Sequence, residues 1–137
     1  MRNSPPTEPS RAGLDLRRAI CRRDELSDPG AREFTLGSGD WPLRGFVVRR
    51  GDVLRAFVNF CPHAGFPLNW QPHEFLAPEA PMILCSMHGA LFEMDSGRCV
   101  SGPCEGLALR PIPLQVDGNY VMVAREFPLE EPADLGR

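Results

Sequence analysis

The 137-residue chain has no lysine, since all fifteen of its basic residues are arginine, and it has one tyrosine, two tryptophans and three histidines. Genome composition explains the missing lysine without any functional demand. Long apolar runs are also missing: none approaches the roughly 20 residues that a membrane-crossing helix requires. Residues 1–13 are polar and proline-rich, without the apolar stretch of a secretory signal. The pairs Arg17-Arg18 and Arg22-Arg23 lack the hydrophobic segment that follows a twin-arginine signal. These absences predict a cytoplasmic protein with no membrane partner. In that compartment, five cysteines read as ligands and packed thiols and not as a disulfide framework.

What charge there is lies unevenly. Residues 1–60 carry 11 arginines against 8 acids, while residues 61–137 carry 4 against 10, within a net charge of −3. An acidic half makes few phosphate contacts, which argues against nucleic acid as a partner. It is able to steer a basic protein partner, although a plain solvated acidic surface with an acidic tail is the simpler account. The length allows one domain of modest core. Fifteen prolines and thirteen glycines are too much punctuation for long helices and point to a turn-rich, all-β chain.

Three domain segments are expected: a disordered tail over residues 1–13, a folded domain over 14–125, and an acidic tail over 126–137. Leu14 to Leu26 fits either a short helix or a strand around Ala19–Cys21. Ala31–Leu36 reads as a strand. Leu43–Arg49 and Val53–Phe60 form a hairpin around Arg50-Gly51-Asp52. A second hairpin joins Ala90–Met94 to Arg98–Val100, and a third joins Ile112–Val116 to Tyr120–Ala124 through Asp117-Gly118-Asn119. The whole is a small antiparallel sandwich or barrel with its special residues on loops between hairpins.

Two of those loops carry chemistry. Cys61-Pro62-His63-Ala64-Gly65 follows one strand, and Cys85-Ser86-Met87-His88-Gly89 follows Met82-Ile83-Leu84. Each offers one thiolate and one imidazole. Two thiolates on one iron and two imidazoles on the other is the donor set of a Rieske-type [2Fe–2S] cluster. The same four side chains also satisfy a Cys2His2 zinc site, although zinc fingers usually keep like ligands together.

With these boxes, C-x-H-x-G and C-x-x-H-G, the chain resembles the Rieske family. Ala90-Leu91-Phe92, the turn at Gly97, Gly102-Pro103-Cys104 and Leu109-Arg110-Pro111-Ile112-Pro113-Leu114 follow in the order of small bacterial Rieske ferredoxins. The resemblance implies a Rieske-type antiparallel fold with one [2Fe–2S] cluster held by Cys61, His63, Cys85 and His88. It also implies a covering loop at Gly102-Pro103. The implied function is one-electron transfer, from a flavin-dependent reductase to an oxygenase or another redox enzyme. A small subunit of a larger oxidoreductase, of the nitrite-reductase kind, and a non-redox module with a structural metal are the alternatives. No catalytic residue is assigned. The family's oxygenases need a second iron domain, and only His73 is left over to serve one.

One departure from the family is a long stretch between His63 and Cys85, around Gln71–Phe75 and Ala77–Pro81, which reads as an extended loop. Insertions of this kind cost little closure entropy. His73, within it, is expected to be a surface histidine; Trp41 and Trp70 are expected to be packing residues, Trp70 close enough to the first box to shield the cluster. Cys99 and Cys104, the latter on the covering loop, are expected to be packed thiols, a bridge between them being the alternative, and Cys21 has no assigned role. The respiratory branch of the family has a disulfide where this chain has Phe66 and Met87. The same branch has serine and tyrosine hydroxyls where this chain has Ala90 and Phe92. Fewer donors to the cluster imply a potential near the low end of the Rieske range, roughly −150 mV.

Overall fold

The computed structural model describes residues 15–37, 40, 42–62, 67–69, 71–78, 82–86, 89–103 and 105–129. The expectations for Trp41, His63, Phe66, Trp70, Met87, His88 and Cys104, and for residues 1–13 and 130–137, lie outside these. The strands, in chain order, are β1 (Ala19–Arg22), β2 (Gly30–Leu36), β3 (Leu43–Arg50), β4 (Val53–Val58) and β5 (Met82–Leu84). They continue with β6 (Leu91–Glu93), β7 (Cys99–Ser101), β8 (Pro111–Ile112), β9 (Leu114–Asp117) and β10 (Tyr120–Val123). They form three sheets in the orders β1-β10-β9, β2-β3-β4-β8 and β5-β6-β7, and every pairing is antiparallel. Among the described residues no helix is long and apolar enough to cross a membrane.

β3 explains how three small sheets make one body. Side chains alternate across a strand, and β3 is apolar on both faces: Phe46 and Val48 enter one core, Leu43 and Val47 the other. β4 does the same, with Phe57 in the first core and Ala56 in the second. The central sheet is therefore a partition. On one side lies the β1-β10-β9 sheet with Val121 and Val123; on the other lies the β5-β6-β7 sheet with Ile83, Phe92 and Cys99. Gly45, between the two cores on β3, has no room for a side chain: a Cβ there would lie 2.7 Å from Phe34 Cζ and 2.9 Å from the Phe57 carbonyl.

Two expectations about elements change. Leu14–Leu26 is neither one helix nor one strand among its described residues: 3-10 turns at Leu16–Arg18 and Arg23–Glu25 flank β1. Local side chains compete with a helix here, because Asp15 Oδ1 accepts from the Arg17 N–H and Glu25 Oε1 from the Arg22 N–H. The strand expected over Ile112–Val116 is two. Pro113 has no N–H to give a ladder, so β8 pairs with β4 before it and β9 pairs with β10 after it. The chain changes sheets at that proline, whose carbonyl still accepts from the Ala124 N–H at 2.9 Å. Near the other end of the domain, Phe127 is buried in the second core under the Arg110 guanidinium, 5.0 Å from its ring centre.

The long stretch between the boxes is ordered in its described part. Phe75 is buried and stacks on Phe46, with ring centres 4.2 Å apart. The Phe75 carbonyl accepts from Leu84 N–H and the Ala77 N–H donates to the Met82 carbonyl, both at 2.8 Å, so this segment runs antiparallel beside β5.

Candidate metal centre

The first box begins where β4 runs out of partners. Asn59 still bonds β3, its N–H reaching the Arg44 carbonyl at 3.0 Å, and a tight turn then closes from the Phe60 N–H to the Val58 carbonyl at 2.9 Å. That turn drops Cys61 into the first core, where it is 1% exposed. The second box begins where β5 ends. Cys85 is wholly buried; its N–H donates to the Ala90 carbonyl and its carbonyl accepts from the Gly89 N–H, both at 2.9 Å, which ties it to Gly89 and Ala90. Strand ends thus bring two cysteines, far apart in sequence, into the same apolar cluster.

The fit to a metal follows from the donors and their surroundings. The described residues bury no polar or charged side chain. A thiolate in so dry a place needs a positive charge beside it, and a soft, thiophilic metal supplies one. Among the described residues no three His, Cys, Asp or Glu side chains converge; His63 and His88 lie outside those residues.

A third loop meets the second box. Gly102 has φ 104 and sits so close to Ala90 that a Cβ would come within 2.8 Å of the Ala90 Cα, so only glycine allows this approach. This is the segment expected to cover the cluster, and it lies directly against Ala90. The Cys99 thiol, buried in the first core, donates to the Ser101 carbonyl at 3.3 Å.

His73 is exposed, as a surface histidine should be, yet it is tied down. Its Nδ1 accepts from the Glu33 N–H of β2 at 3.1 Å and its own N–H donates to Glu33 Oε2 at 3.3 Å. Cys21 is buried in the second core, away from both boxes. Burial chiefly pushes its thiol up to about 11, with Glu25 and Asp24 adding to the rise and Arg32 opposing it. The unfolded chain loses that proton near 9.0, so the folded state binds more protons between the two values. Stability contributed below pH 9 is therefore lost as the pH climbs toward 11. Melting curves of wild type and Cys21→Val across pH 8 to 11 should diverge in slope, the wild type losing about 1–2 kcal/mol more; parallel curves would refute this role for Cys21.

Sequence reasoning missed a hydrogen-bonded bridge between the boxes. Asn59 Oδ1 accepts from the Leu68 N–H at 2.8 Å, and the Leu68 carbonyl accepts from the Ser86 N–H at 2.7 Å. The asparagine just ahead of the first box was visible, but nothing in the sequence said where Leu68 would return.

Comparison with known proteins agrees with this architecture. The Rieske [2Fe–2S] domain family matches residues 17–116. The ferredoxin of carbazole 1,9a-dioxygenase from Nocardioides aromaticivorans IC177 is similar at 27% identity and a TM-score of 0.62, over 77% of this chain and 94% of that one. The Sphingomonas yanoikuyae B1 ferredoxin shares the fold at 17% identity and a TM-score of 0.56, over 83% and 97%. The terminal oxygenase of the Nocardioides carbazole system also shares it, at 22% identity and a TM-score of 0.62, over 81% of this chain but 31% of the oxygenase. No curated protein sequence gives a significant match. The alternative of a zinc site falls with the family match. The chain belongs to the Rieske [2Fe–2S] family, and is an all-β electron carrier with one [2Fe–2S] cluster.

Proposed function

We propose that this chain is a ferredoxin that takes single electrons from a flavin-dependent reductase and delivers them to an oxygenase, with Cys61 and Cys85 holding one iron and His63 and His88 the other. The observation that carries this reading is likeness to a dioxygenase ferredoxin over nearly its whole length: the chain matches 94% of it at 27% identity with the same fold.

When bound, the cluster supplies one-electron chemistry and nothing else. The protein's own part is to hold it in a dry setting. The buried thiols of Cys61 and Cys85 provide ligands without water access, and Ala90 and Phe92, both fully buried in the same apolar cluster, present no hydroxyl. A potential toward the low end of the Rieske range belongs with this reading.

The acceptor is testable by reconstitution. Protein reduced through a flavin reductase and NADH, then mixed with a terminal oxygenase of the carbazole dioxygenase type, is expected to support product formation that depends on the concentration of this chain. If the cluster is intact and reduced but no electrons reach any such oxygenase, the acceptor assignment fails and the carrier must serve another enzyme.

A further inference from the structure

Leu68 is wholly buried in the first core, in the same cluster as Cys61 and Cys85. A residue taken that deep must find partners for both its N–H and its carbonyl. Its N–H finds Asn59 Oδ1 at 2.8 Å and its carbonyl finds the Ser86 N–H at 2.7 Å. Asn59 stands two residues before Cys61, and Ser86 directly follows Cys85. One side-chain amide and the backbone of one residue therefore span the gap between the two cysteine segments, where no strand pairing joins them: β4 and β5 lie in different sheets.

The amide is itself held in one orientation. Asn59 Nδ2 donates to Asn69 Oδ1 at 3.0 Å, while Asn69 Nδ2 donates to the Gln71 carbonyl at 3.0 Å and to Glu33 Oε1 at 3.2 Å. Since an amide oxygen only accepts and an amide nitrogen only donates, this chain fixes Asn59 with its oxygen toward Leu68. The far end is anchored on β2 through Glu33, beside His73.

We propose that Asn59 is a positioning residue for the [2Fe–2S] cluster: through the Leu68 backbone, its side-chain amide locks the segment entering Cys61 to the segment leaving Cys85. This role rests on the assignment of Cys61 and Cys85 as ligands. Removing the amide leaves the Leu68 N–H buried without its partner, while every β-ladder stays intact. The two cysteine segments should then loosen relative to each other without the fold being lost.

The test compares Asn59→Ala with Asn59→Asp, which keeps an oxygen for the Leu68 N–H, in the iron-loaded protein. In Asn59→Ala, amide exchange at Leu68 and Ser86 should quicken about tenfold. Release of iron to a chelator should quicken as well, and the EPR lines of the reduced cluster should broaden. Exchange in β3 and β10 should stay as in wild type, which a general loss of stability would not allow. Asn59→Asp should restore the slow exchange. Unchanged exchange, iron release and line shape in Asn59→Ala would overturn the positioning role. If Asn59→Ala binds no iron, Asn59→Asp with a wild-type line shape upholds the role and an equally iron-free Asn59→Asp overturns it. Failure of the underlying ligand assignment would appear elsewhere, as Cys61→Ser or Cys85→Ser keeping the wild-type spectrum.

Discussion

Changing Cys61 or Cys85 to serine is expected to strip the protein of iron almost completely, whereas Cys21→Ser and Cys99→Ser should keep it. All four residues are buried, at 1%, 0%, 8% and 3% exposure, so burial alone predicts no difference between the pairs. Position does. Cys61 and Cys85 stand at the open ends of β4 and β5, each followed by a histidine two or three residues on. Cys99 starts β7 with its thiol on the Ser101 carbonyl, and Cys21 lies in the other core. A serine hydroxyl is almost fully protonated at neutral pH and is a poor ligand for a thiophilic metal. Because metal binding and folding are coupled, the two depleted variants should also melt at lower temperature. His63→Ala and His88→Ala are expected to lose the mixed-ligand spectrum in the same way. Iron and sulfide analysis with absorption spectra decides the matter: a brown Cys85→Ser protein with full iron would remove Cys85 from the ligand set.

Much of this molecule is legible without coordinates because its signals are local. Glycine turns gave away the hairpins; at Gly97, for example, φ is 76 and a Cβ would strike the Phe57 ring. The boxes were legible because ligand chemistry demands particular residue types at short spacing. What escaped was long-range. Pro113 was plainly unable to donate to a ladder, but only the packed structure shows that the chain changes sheets there, bonding β4 on one side and β10 on the other. The stretch between the boxes read as a featureless loop because its stabilising contacts, Phe75 on Phe46 and His73 on Glu33, are with strands some thirty to forty residues earlier. Asn59 was invisible for the same reason: an asparagine before a turn is ordinary, and its importance depends entirely on where Leu68 is delivered.

The reduction potential carries the second large expectation: roughly −150 mV for the wild type, rising when hydroxyls are installed beside the cluster. Taking up an electron makes the cluster more negative, so hydrogen-bond donors favour the reduced form and raise the potential, while a dry apolar lining lowers it. Ala90 and Phe92 are both fully buried in the core shared with Cys61 and Cys85, and neither carries a donor. Phe66 and Met87 hold no thiol, so the disulfide of the respiratory branch is chemically impossible at those positions. A donor that stabilises the reduced state by about 1.4 kcal/mol more than the oxidised one moves a one-electron potential by about 59 mV. Ala90→Ser and Phe92→Tyr should each raise it by about that amount, with the double variant higher than either. A redox titration followed by EPR measures this directly, and a wild-type value above roughly +100 mV would contradict the low-potential assignment. The sign matters for the role. A carrier at the low end gives electrons readily to an oxygenase, and every 59 mV gained through an added hydroxyl costs about a factor of ten in that equilibrium. The double variant should therefore still accept electrons from the reductase but pass them on less completely, a split that a merely damaged cluster would not produce.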